Sequence, residues 1–178
     1  MRRILRDNSR KPVRGSRVTT EAFDTESRWS PDGSQIAFTR VRTPRKAAVF
    51  VVGIDGTGLK RLTPWRLDAT SPSWSPDGSK IVFNSHDEFG PSVSANLFWI
   101  RPGGGRRHAL THNRGGRRQS FSACWSPDGT RIVFSRFILN GRQSHGDLYT
   151  IDPTGSALTR LTRMPHAFPS NADWGTAP

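Results

Sequence analysis

Trp29-Ser-Pro-Asp-Gly-Ser-Gln-Ile-Ala-Phe38 recurs almost letter for letter as Trp74-Ser-Pro-Asp-Gly-Ser-Lys-Ile-Val-Phe83 and as Trp125-Ser-Pro-Asp-Gly-Thr-Arg-Ile-Val-Phe134. A fourth start, Asp173-Trp174-Gly175, opens the same text and stops. From Trp29 to Trp74, from Trp74 to Trp125 and from Trp125 to Trp174 the steps are 45, 51 and 49 residues. That period belongs to repeated units that stack into propellers. In each copy the proline (Pro31, Pro76, Pro127) presets φ for a tight turn. The aspartate (Asp32, Asp77, Asp128) accepts bonds from neighbouring N–H groups, and the glycine (Gly33, Gly78, Gly129) takes the left-handed conformation. The turn therefore joins two strands, A and B. In strand B, Ile36 and Phe38 point one way and Ala37 the other, and Ile81-Val82-Phe83 and Ile132-Val133-Phe134 are apolar on both faces. A strand apolar on both faces must be covered on both, as in a blade sandwiched between neighbours.

Working outward, Val51-Val52-Gly53-Ile54 aligns with Leu97-Phe98-Trp99-Ile100 and with Leu148-Tyr149-Thr150-Ile151 as strand C. Turn texts follow: Asp55-Gly56-Thr57-Gly58, Arg101-Pro102-Gly103-Gly104 and Asp152-Pro153-Thr154-Gly155. Each unit closes on a basic strand D ending Leu62-Thr63, Leu110-Thr111 or Leu161-Thr162. The expected fold is all-β, a β-propeller of four-stranded antiparallel blades, with three complete blades over about 22–63, 69–111 and 120–162. A basic tail, 1–16, precedes the blades, which occupy 17–178. Partial strands flank them around Ser16–Thr20 and at 172–174. Neither flank supplies a Ser-Pro-Asp-Gly turn or a strand B, so the expected object is a partial ring that stays open or closes by self-association through its exposed blade edges. The repeated tryptophans are expected to pack between blades.

These texts resemble the TolB-like propellers, whose blades carry Trp-Ser-Pro-Asp-Gly-x-x-Ile-x-Phe, a strand, a Gly-rich turn and an Arg-Leu-Thr close. The resemblance covers about residues 17–175. It implies a four-stranded blade in a six-bladed ring and a protein- or peptide-binding role. Similar blades form the non-catalytic propellers of prolyl-oligopeptidase-like enzymes, and a related group includes oligogalacturonide lyases, so fold alone does not choose between binding and enzyme-associated readings.

Composition bounds the rest. The formal net charge is +13, and arginine supplies 23 of the 27 basic residues. The basic residues concentrate in residues 1–20 and in 101–118, RPGGGRRHALTHNRGGRR, which holds six arginines and no acid. Such runs attract phosphate backbones, but 101–118 lacks the interleaved aromatics of a stacking platform, so nucleic acid is the least favoured partner. The single cysteine, Cys124, excludes an internal disulfide framework and reads as a small packed residue. The N-terminus is positive without a following apolar stretch, and no apolar run is long enough to span a bilayer. As written the chain is expected to be cytoplasmic and not inserted in a membrane, or periplasmic or extracellular if its N-terminus is truncated.

Strand order also sorts the loops. The A–B and C–D turns lie on one mouth of a propeller and are near-identical. The B–C loops (40–47, 85–95, 136–146) and D–A loops (64–72, 112–123, 163–171) lie on the other and vary. Variable loops on a rigid scaffold usually carry function. The candidate binding face is therefore His86, Asp87, Glu88, His112, Arg142, His145 and His166. Histidine and carboxylate are metal ligands and proton carriers, but none here has diagnostic spacing, and there is no His-Glu-x-x-His, no Gly-x-Ser-x-Gly and no phosphate-cradling loop opening a helix. No catalytic residue, cofactor or metal ligand is assigned. The expectation is a non-enzymatic scaffold for a protein or peptide.

Overall fold

The computed structural model describes residues 22–43, 46–86, 94–163, 169 and 173–174. It contains three four-stranded antiparallel sheets in simple meander order. Blade 1 is β1 (Phe23–Trp29), β2 (Gln35–Thr43), β3 (Lys46–Gly53) and β4 (Lys60–Arg61). Blade 2 is β5 (Ala69–Trp74), β6 (Ile81–His86), β7 (Ala95–Ile100) and β8 (His108–Ala109), and blade 3 is β9 (Arg118–Trp125), β10 (Ile132–Ile138), β11 (His145–Ile151) and β12 (Thr159–Arg160). This is a partial β-propeller. The expected N-terminal strand around Ser16–Thr20 lies outside the described residues, as does Ala172. Asp173 and Trp174 carry no strand pairing.

The Ser-Pro-Asp-Gly turn folds alike in every blade. Gly33 N–H donates to the Ser30 carbonyl at 2.9 Å, and Gly33, Gly78 and Gly129 stand at φ 70°, 68° and 71°, where only glycine is unstrained. Asp32 accepts from the Ser30 hydroxyl at 2.6 Å and from the Ser34 N–H at 3.1 Å; Asp77 and Asp128 repeat both bonds. These donors, the serine hydroxyl first, hold the Asp32 and Asp77 carboxyls down at about 2 from the ordinary 3.8 and also lower Asp128. A carboxyl whose folded pKa is depressed adds stability above its unfolded pKa and loses it as pH falls through the folded value. The melting temperature is therefore expected to drop as pH goes from about 4 to about 2. The triple variant Asp32→Asn, Asp77→Asn, Asp128→Asn should show a flatter slope in a calorimetric pH series. Parallel slopes would refute this role for the turns.

Two apolar seams hold the stack. Ala37, Val49 and Val51 on one face of blade 1 meet Trp74, Ile81 and Phe83 of blade 2. Val82 and Leu97 on the opposite face of blade 2 meet Trp125, Ile132 and Phe134 of blade 3. In blades 2 and 3 the Ile/Phe face thus looks to the preceding blade, which is why strand B is apolar on both sides. The strand D close has a repeated task as well. Thr63, Thr111 and Thr162 each accept, at 2.9 Å, the N–H of Val49, Leu97 or Leu148, continuing the pairing to strand C past the end of the two-residue strand D.

Three expectations need correction. Trp74 and Trp125 pack between blades, but Trp29 is 55% exposed, because among the described residues no blade precedes β1. On that face Phe38 and Phe50 are covered instead by the guanidinium of Arg40, 5.4 and 4.9 Å from their ring centroids, and by Trp65 against Phe50. Second, Phe50, not Val52, is the partner in strand C of Phe98 and Tyr149: Phe38 pairs with Phe50, Phe83 with Phe98 and Phe134 with Tyr149. The true alignment of blade 1 is Val49-Phe50-Val51-Val52, two residues earlier than the text alignment. A slip of two keeps every side chain on its face, so hydrophobic alternation does not detect it. Third, the B–C connections are tighter than expected. Strands β2 and β3 are separated only by residues 44–45, and in blade 3 the connection shrinks to 139–144, so His145 begins β11.

Candidate functional site

At the B–C and D–A mouth, one column of strand C separates the blades chemically. Ala48, Asn96 and Asp147 occupy equivalent places, one residue before Val49, Leu97 and Leu148. In blade 1 the alanine makes no polar network, and the mouth is closed by a 3-10 turn, Trp65–Leu67, ending on Asp68 in the left-handed conformation. Asp68 accepts from Ala47 N–H at 3.1 Å, and its other oxygen stands 3.7 Å from His86 Nδ1. Ser85 donates its hydroxyl to the Leu67 carbonyl at 2.5 Å, tying this turn to β6. The His86 ring lies against Phe121, centroids 5.3 Å apart, and Phe121 against Phe137 at 5.5 Å.

In blade 2 the same column carries Asn96, which organises the whole D–A loop. Asn96 Oδ1 accepts from Asn113 N–H at 2.6 Å and from the Thr111 hydroxyl at 3.0 Å, and its amide donates to the Asn113 carbonyl at 3.1 Å. Asn113 Nδ2 donates in turn to the Ala95 carbonyl and the Ser120 hydroxyl. Gln119 accepts from Ala95 N–H and donates to the Gly116 carbonyl, while Gly116 N–H donates to Ser94. A network this fully satisfied specifies one loop conformation. It raises His112, Arg114 and Arg117 into solvent around a hollow of about 350 Å³.

In blade 3 the column carries Asp147, which is 1% exposed and accepts from Arg160 Nη2 at 2.6 Å, with His145 Nε2 3.9 Å away. The B–C loop is a 3-10 turn, Gly141–Gln143, closed by Ser144, which donates to the Gly141 carbonyl at 2.7 Å and accepts from Asn140 N–H at 3.0 Å. Arg142 projects from it, exposed.

His86, His112, Arg142 and His145 thus all sit at this mouth but on separate supports, each histidine beside a different blade element. Asp87, Glu88 and His166 lie outside the described residues. Among the described residues no three His, Cys, Asp or Glu side chains gather closely enough to hold a metal ion. The basic run 101–118 is split by the fold. Arg101, Arg106 and Arg107 belong to the C–D turn, whereas Arg114, Arg117 and Arg118 belong to the D–A mouth at the other end of blade 2.

Sequence reasoning missed the bulges in the innermost strands. Glu26, Ser71 and Ser122, each three residues before the repeated tryptophan, are left-handed at φ 55°, 55° and 52°, and each sits at a register break in strand A. These bulges line a cavity of about 230 Å³ along the inner edge, together with Arg28, Cys124 and Asp173. Glu26 is spent there on structure: it accepts from the Thr39 and Ser71 hydroxyls and from Ser71 N–H. Cys124 donates to Asp173 at 3.2 Å; burial, and then Asp173, push its thiol pKa up, away from thiolate chemistry. The only sequence signal for the bulges is a polar residue at that place in all three repeats.

The family of the TolB beta propeller domain matches residues 9–137. No curated protein matches the sequence. Among solved structures, the putative TolB of Agrobacterium tumefaciens is similar over 75% of this chain and 47% of its own, at 22% identity and TM-score 0.65. TolB of Acinetobacter baumannii is similar over 79% and 32%, at 21% identity and TM-score 0.58. An oligogalacturonate lyase in complex with manganese is similar over 83% and 44%, at 14% identity and TM-score 0.62. At these identities the likeness is one of fold, and this chain spans less than half the length of each.

Proposed function

Because the chain belongs to the TolB β-propeller family, we propose that it is a binding scaffold that takes a protein or peptide at the B–C and D–A mouth. One observation carries the reading. The two mouths are built from the same blades, yet the A–B turns repeat bond for bond while the B–C and D–A loops carry three unrelated networks, centred on Asp68, Asn96 and Asp147. The identical A–B turns offer a partner nothing to distinguish one blade from another. The described parts of the B–C and D–A loops are differentiated and internally bonded, and so present a surface whose ordering cost is met before binding. The exposed groups on that surface, His112, Arg114 and Arg142 among them, are hydrogen-bond donors and cations suited to a polar or acidic partner.

The test is differential capture. With the double variant His86→Ala, Arg142→Ala, affinity for a captured partner is expected to fall at least about fivefold, the effect of losing contacts at the centre of an interface. Thr57→Ala with Thr154→Ala, on the opposite turns, should leave it unchanged. If the turn variants weaken capture and the mouth variants do not, the face is wrongly assigned.

A further inference from the structure

Arg40 and Arg136 hold the same place in blades 1 and 3, eleven residues after the repeated tryptophan. Both lay their guanidinium over the aromatic pair of strands B and C: Arg40 at 5.4 and 4.9 Å from Phe38 and Phe50, Arg136 at 5.4 and 5.1 Å from Phe134 and Tyr149. In blade 1 the residue opposite Arg40 on strand A is Asp24, which receives Nε and Nη2 at 2.6 and 2.7 Å in a two-pronged pair. In blade 3 the residue in that register is Ser120. It is fully buried, and its hydroxyl accepts from Asn113.

Arg136 therefore keeps the aromatic seat and lacks the carboxylate. Its Nε is shut off from solvent and has no hydrogen-bond partner among the described residues. Asp147, opposite Arg136 on β11, is taken up by Arg160. Burial lowers the Arg136 pKa, and the charge of Arg118 works in the same direction. A planar fork on a desolvated seat, with a second cation beside it, is matched by a carboxylate.

We propose that Arg136 receives a carboxylate from the partner, an Asp or Glu side chain of an acidic peptide segment, at its Nη nitrogens, since Nε is closed to solvent. The assignment rests on the reading that this mouth binds protein. It names the chemistry at one point of that surface, where Arg118 adds to the attraction.

Arg40 is the internal control. In an NMR spectrum that resolves arginine Nε–H signals, assigned with Arg136→Lys and Arg40→Lys, sodium acetate should shift the Arg136 signal saturably. Acetyl-hexaglutamate should do so at lower concentration, and neither should move Arg40. Sodium chloride at equal ionic strength should move neither. Ser120→Asp, if it folds, should abolish the response by supplying the carboxylate from within. In the capture assay Arg136→Lys should weaken binding about tenfold, the loss of a charged two-pronged bond. An Arg136 signal that ignores acetate, or that answers phosphate more strongly than carboxylate, overturns the proposal. So does a shift of that signal in Asp87→Asn, Glu88→Gln without any probe, since the chain's own loop would then fill the place. The two readings fail separately. Capture insensitive to Arg136→Lys but abolished by His86→Ala, Arg142→Ala sinks the carboxylate assignment alone. Capture insensitive to all mouth variants sinks the binding face, and with it the peptide as the source of the carboxylate.

Discussion

Trp74→Ala is expected to destabilise the protein by about 3–5 kcal/mol, the cost of emptying a large aromatic site in a core, while Trp29→Ala should cost less than about 1 kcal/mol. The two residues occupy the same place in the same repeated text, so the difference belongs to packing alone. Trp74 is 8% exposed, lies in the seam between blades 1 and 2, and donates its Nε1 to the Arg28 carbonyl at 3.1 Å. Trp29 is 55% exposed. Trp125, at 5% exposure and with its Nε1 unpartnered among the described residues, should resemble Trp74 without the hydrogen-bond contribution of about 1 kcal/mol. Urea unfolding of the three variants checks the order. Equal losses at Trp29 and Trp74 would mean that in solution the outer face of blade 1 is covered as fully as the inner seams.

Arg160→Met should cost about 3 kcal/mol or more, because it removes the 2.6 Å ion pair of the buried Asp147 carboxylate. The reverse change, Asp147→Asn, should cost less. Asp147 is 1% exposed on its side chain, whereas Arg160 is 37% exposed, so the arginine freed by losing its partner reaches water and the carboxylate does not. The Thr162 hydroxyl, 3.4 Å from Asp147, and His145 at 3.9 Å are poor substitutes for a bond of 2.6 Å. Thermal melts of both variants, with their effect on the B–C loop of blade 3 read by amide exchange, separate the two costs. An Asp147→Asn loss larger than that of Arg160→Met would contradict the asymmetry.

What the sequence made legible was what every repeat has in common. Trp-Ser-Pro-Asp-Gly and Ile-x-Phe encode a turn and a two-faced strand by local chemistry alone, and both form as expected in all three blades. The features that escaped are set by relations between segments. The two-residue offset of Val49-Phe50-Val51-Val52 preserves side-chain alternation and is visible only once Phe38 is seen opposite Phe50. The exposure of Trp29 depends on what precedes blade 1 in space, not on the text around it. The B–C and D–A loops share one end of the blades, as antiparallel strand order implies. The residues that shape it, Asp68, Asn96 and Asp147, passed for ordinary polar positions because their partners Ala47, Asn113 and Arg160 lie 21, 17 and 13 residues away. Arg136 was assigned to a loop and proved to be in strand β10. Its interest comes from comparison with Arg40, once register had set Asp24 against Ser120.

The central claim, that the differentiated mouth and not the repeated turns meets the partner, is tested most directly by site-specific photo-crosslinking. A photoreactive side chain placed at Arg142 on the B–C mouth, and in a second protein at Thr57 on a C–D turn, is irradiated in the presence of captured partner. Adducts from position 142 and none from position 57 are the expected result. Adducts from position 57 with none from position 142 would contradict the account.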